Sequence, residues 1–268
     1  MSMALKQTMD DTPLLEVQNL GKNFGGLQAL NGYHTTLYKG TLTGLIGPNG
    51  AGKTTVFNIL SGVLEPSAGT ISFSNKDITS LKPHLRARLG MTRTFQNIRL
   101  FEGMSVLDNV KTALHQREGS CLGHTLFHTP QFRSSEKVIT KRAYELLEML
   151  QIVSWKDEFA GMLPYGIQRS VELARAIATQ PQLLLLDEPV AGMNPSETEE
   201  FVQLITHIMD EFDLTIILVE HDMRVVMRMC SHIQVLDQGK LIAEGAPSDI
   251  QHNPQVIKAY LGYEGEQI

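Results

Sequence analysis

Along this chain the apolar positions recur in two rhythms, one suited to strands and one to helices. Over residues 14–80 the short apolar stretches LLEVQNL, TLTGLIG and GTISFSN are separated by Gly-punctuated turns, among them Gly25-Gly26. With a helix from Lys53 to about Leu60, they predict a mixed sheet around a loop. Over residues 81–152 the strand signal fades. Helical spacing takes over, clearest at 141–150, where Ala143, Leu146, Leu147 and Leu150 fall on one face. This predicts an inserted helical subdomain. Within it, residues 119–135 have no clear period and read as a loop or irregular helix. From Gly166 onward an amphipathic helix, LLLLD, a second helix, TIILV, a third helix and IQVLD alternate as in a doubly wound parallel sheet. The apolar runs 183–186 and 215–219 are followed by acidic or polar residues, as buried parallel strands are when they end at a working face.

Composition narrows the classes. At 268 residues, 42% hydrophobic and 19% charged, the chain can bury a core of its own as one large domain, with room for a subdomain. Its 29 acidic against 23 basic residues give a net charge of -6, and no Lys/Arg block is present to neutralise a run of phosphates, which argues against nucleic acid as a partner. Cys121 and Cys230 lie far apart without a CxxC, so neither a disulfide framework nor a zinc site is expected, and a reducing cytoplasm suits them. The opening MSMALKQTMDDTPLLEV lacks the apolar core of a signal peptide. No stretch approaches the roughly 18 apolar residues of a membrane span.

Two motifs carry chemistry on their own terms. The run Gly47-Pro48-Asn49-Gly50-Ala51-Gly52-Lys53-Thr54-Thr55 is a full G-x-x-x-x-G-K-[ST] that follows an apolar strand and opens a helix. Its glycines let backbone N–H groups turn toward phosphates, and the helix start adds its positive end. Lys53 reaches the β- and γ-phosphates, and Thr54 offers a hydroxyl to Mg²⁺. The second motif is the strand LLLLD ending in Asp187-Glu188. Beside a phosphate loop, Asp187 is expected to hold the Mg²⁺ hydration shell and Glu188 to polarise the attacking water. A third stretch, Leu163-Pro164-Tyr165-Gly166-Ile167-Gln168-Arg169, is by physics alone a turn before a helix N-terminus that could hold an anion.

In order, the phosphate loop, TFQN, L-x-x-G-x-Q-R, LLLLDEP and LVEHD resemble the ABC ATPases, over about residues 14–262. KNFGGLQAL, TRTFQNIRLF, EPVAGMNPSE, VEHDM, AEGAPSDI and NPQVIKAYLG are similar to the ATP-binding subunits of branched-chain amino acid importers. The resemblance implies an α/β P-loop NTPase. A RecA-like and β core (14–95 and 170–262) would carry an antiparallel β subdomain and a helical subdomain (96–169), with tails at 1–13 and 263–268. It further implies that Phe24 stacks on adenine, that Gln96 touches Mg²⁺ and the nucleophilic water where a membrane subunit docks, and that His221 contacts the γ-phosphate. Residues 191–194 take the D-loop position. Gly166 belongs to the signature loop, which meets ATP bound to a second cassette. On the residues alone a core phenylalanine at Phe24 and a surface glutamine at Gln96 stay open as the lesser alternatives.

The implied protein is an ATPase subunit on the cytoplasmic face of the plasma membrane. It would work with transmembrane permease subunits, a second and related cassette, and indirectly a substrate-binding protein. Branched-chain amino acids follow from the branch, with other amino acids, urea or small amides still open. The signature departs from the family pattern: Pro164 replaces the usual serine and Tyr165 the glycine after it. Three other readings fit less well. DNA-repair or ribosome ABC ATPases tend to carry two cassettes, coiled coils or basic surfaces. A guanine-reading motif would need an aspartate where Asn75-Lys76-Asp77 is followed by Ile78. A dead regulatory subunit would not keep Lys53, Asp187, Glu188 and His221.

Overall fold

The computed structural model describes residues 12–94, 96, 98–118 and 130–261. They fall into two compact units. One holds the chain up to Pro83 and again from Cys230; the other is His84–Met229.

In the first unit, β1 (Leu15–Phe24) and β2 (Leu27–Leu37) form an antiparallel hairpin. Gly25 turns it at φ +56, where a residue without Cβ is least strained. β3 (Leu42–Ile46) is buried at every position and runs through the phosphate loop into α1 (Lys53–Leu60), at the bounds the sequence predicts for that helix. β4 (Ala68–Phe73) and β5 (Lys76–Asp77) complete an antiparallel sheet ordered β2-β1-β4-β5. The pattern of residues 14–80 predicts one mixed sheet, but its strands belong to two. The burial explains why: the last five positions of β2 alternate buried and exposed, as in a sheet with one wet face, whereas β3 is buried on both faces as parallel strands are.

The second unit opens with α2 (Pro83–Arg88) and β6 (Met91–Arg93). The sequence gives no sign of β6, because three residues are too few to display a period. Then come α3 (Val106–Glu118), α4 (Pro130–Met149) and α5 (Tyr165–Ala178), with α3 packing on both others through buried Val106, Val110 and Leu114. Of the stretch read as irregular, 119–129 lies outside the described residues, and 130–135 is the start of α4. β7 (Leu183–Asp187), α6 (Pro195–Phe212), β8 (Thr215–Val219) and α7 (Met223–Met229) follow. β7 lies between β6 and β8, parallel to both. α6 starts on a reciprocal cap. The Asn194 side chain accepts from the Ser196 and Glu197 N–H groups, Glu197 takes the Asn194 N–H, and Pro195 sits at the first helical position.

The chain then returns to the first unit. β9 (His232–Asp237) runs parallel to β3 and antiparallel to β10 (Lys240–Gly245), and α8 (Pro247–Gln251) and α9 (Pro254–Leu261) close the described chain. Cys230 is buried, which pushes its thiol up to about 12 and leaves it an unreactive packing residue. Cys121 lies outside the described residues. Among those residues no helix is long and apolar enough to cross a membrane.

Candidate functional site

The phosphate loop is built by the first unit. Gly47 has φ +150, and a Cβ there would lie 2.1 Å from the Leu236 carbonyl oxygen, so only glycine fits between β3 and β9. Gly52, at φ +107, is equally constrained: its Cβ would come within 2.9 Å of the Ala29 carbonyl oxygen. The loop is tied from the β9–β10 turn by the Gly239 N–H, which donates to the Ala51 carbonyl at 2.9 Å. Lys53 is only 6% exposed, and its ammonium folds back to donate to the carbonyls of Gly47 (2.6 Å) and Pro48 (3.0 Å). No side chain caps the start of α1, where the N–H groups of a first helical turn point outward. Asn49, Gly50 and Thr54 are exposed, and Pro48 and Thr55 are half-buried. Phe24 is 45% exposed, so it is not the core residue that the sequence left possible; Lys22 Nζ stands 5.3 Å from its ring centre.

A carboxylate cluster forms at the ends of β7 and β8 in the second unit. Asp187 is buried and ion-paired to Arg93 at 2.8 Å. Glu188 makes the last rung, its N–H donating to the Val219 carbonyl at 2.9 Å, and then turns the chain at φ +49. That conformation costs a non-glycine residue on the order of 1 kcal/mol, and it is held by what surrounds it. One Glu188 oxygen accepts from the Gln96 side-chain amide at 2.9 Å, and the other meets His221 Nε2 at 2.6 Å. Three residues 33 and 92 positions apart are thereby brought together. Glu220 is buried and takes the backbone N–H groups of Val190 (3.0 Å) and His221 (3.1 Å), joining the loop after Glu188 to the loop that carries His221. Burial pushes its carboxyl above the ordinary range, while those N–H bonds pull it back.

Pro164 occupies the cap position of α5 with no side-chain hydrogen bond to the helix. Gly166, half-buried and the second residue of the helix, leaves a Cβ position 3.6 Å from the Glu197 carboxylate.

This chain matches the ABC transporter family over residues 30–191, and the branched-chain amino acid ATP-binding cassette family over 240–266. The high-affinity branched-chain amino acid transport ATP-binding protein BraF of Pseudomonas aeruginosa is 44% identical over 250 residues, covering 93% of this chain and 98% of BraF. LivG of Escherichia coli, with the same description, is also 44% identical over 250 residues, at 93% and 98%. This chain belongs to the ABC transporter ATPases. A solved ATP-binding cassette of an ABC transporter, in its ADP conformation, superposes with a TM-score of 0.80 at 30% identity, covering 94% of this cassette and 99% of that one.

Four residues of the cassette escaped the sequence reading. Arg93 pairs with Asp187, Glu220 anchors two loops, Arg169 reaches the Gln96 carbonyl, and Tyr260 of α9 takes a hydrogen bond from the Gly47 backbone. All four act across long separations. The signals available were weak: a charge inside TRTFQN, an acid inside VEHD, and a tyrosine in the tail motif AYLG.

Proposed function

We propose that this ATPase cassette binds ATP with Mg²⁺ on the Gly47–Thr55 loop and powers uptake of branched-chain or closely related amino acids through separate membrane subunits. The observation that carries the chemistry is Glu188, bracketed by Gln96 and His221 at the end of a buried strand. A carboxylate so placed can take a proton from water, and two partners fix both of its oxygens. Lys53 would exchange its loop carbonyls for phosphate oxygens, and the uncapped start of α1 would add its N–H groups. Phe24 offers an exposed ring for the base. Each unit offers hard oxygen donors of the kind Mg²⁺ takes alongside phosphate and water: the Thr54 hydroxyl in the first, the Asp187 carboxylate and the Gln96 amide oxygen in the second. Arg93 uses only part of the roughly four acceptor positions of Asp187. When bound, the ion would offset phosphate charge; the protein's own share is to orient water with Glu188, Gln96 and His221. In this reading residues 14–95 and 170–262 form the nucleotide-binding core and 96–169 the helical subdomain.

The membrane partner is proposed to dock on the segment from Gln96 to Phe101. Ile98 and Leu100 are half-buried and Phe101 exposed, its ring 4.7 Å from the Arg175 guanidinium carbon. Phe159 and Met162 are exposed beside it, where Ala160 and Gly161 donate backbone bonds to Met104 and Glu102. Apolar side chains around a polar switch residue suit a short helix of a permease. Phe101→Ala should weaken copurification with the membrane subunits about tenfold, as for an aromatic anchor, while nucleotide binding by the isolated cassette is unchanged. Equal loss of both would mean a damaged fold and would refute the docking assignment.

The second cassette is proposed to be a related, different chain. Proline at 164 supplies neither the hydroxyl nor the N–H that a serine there would give to ATP held by the partner. Pro164→Ser in the assembled transporter should tighten or speed the partner's ATP site by about tenfold and leave the Lys53 site near its original rate. A fully active homodimer of this chain, or an effect mainly at the Lys53 site, contradicts the arrangement.

A further inference from the structure

Arg169, in the second turn of α5, is 2% exposed and uses all three guanidinium nitrogens. Nε and Nη2 donate to the Tyr165 hydroxyl at 3.2 and 2.9 Å, Nη1 pairs with Glu172 at 3.0 Å, and Nη2 also donates to the Gln96 carbonyl at 2.6 Å. A planar guanidinium presents its donors in one rigid fork, so holding it on one side fixes what it does on the other. Gln96 itself is exposed and lies outside any helix or strand. The Arg169 bond is a backbone anchor one residue's length from the amide that reaches Glu188.

We propose that Arg169 is a positioning residue. Oriented by Tyr165 and Glu172, it fixes the Gln96 carbonyl and through it the reach of the Gln96 amide to Glu188. A hydrogen-bonded path then runs within one unit from the signature turn through Tyr165, Arg169 and Gln96 to Glu188 and His221. The path gives a use to the tyrosine that stands where the wider family pattern has glycine. Its hydroxyl is the acceptor that locks the guanidinium, and its ring faces Gly192, where a Cβ would lie 3.4 Å from Tyr165 Cε1. Gly192, at φ +82, belongs to the loop that leaves Glu188, so the same tyrosine steadies that loop as well. The inference rests on the proposed roles of Gln96 and Glu188. It adds that the alignment of the Glu188 site in this cassette depends on side chains of the turn that serves the other ATP.

The test is ATP turnover of the assembled transporter carrying Tyr165→Phe, which keeps the ring and removes the acceptor, with Arg169→Lys as a second variant that leaves Glu172 a cationic partner. Turnover should fall about threefold to tenfold for the tyrosine variant and further for the lysine one, with KM for ATP unchanged, since a lost orienting bond acts on alignment rather than on nucleotide affinity. In a Gln96→Ala background, neither substitution should add to the loss, because both act through Gln96. Equal fold-losses in the two backgrounds, a loss confined to KM, or full turnover in both variants overturns the proposal. Normal turnover of Gln96→Ala by itself overturns the role given to Gln96 and removes the inference with it, an outcome distinct from the others.

Discussion

Glu188→Gln is expected to bind ATP as the parent does and to hydrolyse it at least about a hundredfold more slowly, the range lost when general-base help is removed. The substitution is informative because it is nearly isosteric. A glutamine keeps an oxygen for Gln96 or His221 and imposes no backbone change on a residue already at φ +49. It removes the negative charge and the capacity to take a proton, and exchanges one acceptor oxygen for an amide donor of nearly the same shape. An alanine would also release the side-chain contacts that hold this conformation, mixing a chemical loss with a structural one. Turnover of the assembled transporter, read beside a direct nucleotide titration, separates the two. Near-normal turnover would mean that another group activates the water and that the Glu188 cluster is structural.

Lys53→Ala is expected to act earlier, on nucleotide affinity itself. In the structure the ammonium is buried and donates to the Gly47 and Pro48 carbonyls, neutral acceptors that phosphate oxygens would outcompete. Bonds between charged partners contribute about 1.5–3 kcal/mol each, and two such bonds to phosphates put the loss of affinity at about a hundredfold or more. Because the alanine also leaves two loop carbonyls without their donor, thermal unfolding of the free cassette should be followed alongside. A titration that finds unchanged affinity would count against the phosphate-loop assignment, whatever the turnover.

These two residues also mark how far the sequence could be read. The loop around Lys53 was legible because its chemistry is contiguous: strand, glycines, lysine and helix follow one another, and the φ values of Gly47 and Gly52 fit the pattern of glycines. Asp187 and Glu188 were legible as a buried strand ending in acids. Their partners were not. Gln96 and His221 entered only through resemblance, since no periodicity links positions 92 and 33 residues away from Glu188, and it is the pairing of β7 with β8 that brings the His221 loop alongside. Phe24 could not be told from a core residue, because an aromatic after a strand looks the same in sequence whether the hairpin buries it or, as here, exposes it. β6 was invisible at three residues, and the separation of β3 from the antiparallel sheet depended on partners near the other end of the chain. Tyr165 read as a loss of glycine. The structure instead places its hydroxyl on a buried arginine, which no local pattern announces.

The central claim, that ATP hydrolysis by this chain drives branched-chain amino acid import, is tested most directly by uptake into sealed vesicles. The complete transporter and its binding protein would be reconstituted with ATP on the cassette side and radiolabelled leucine, isoleucine or valine on the other. The account predicts ATP-dependent accumulation that falls to background when this chain carries Glu188→Gln; accumulation that continues undiminished in the variant would contradict it.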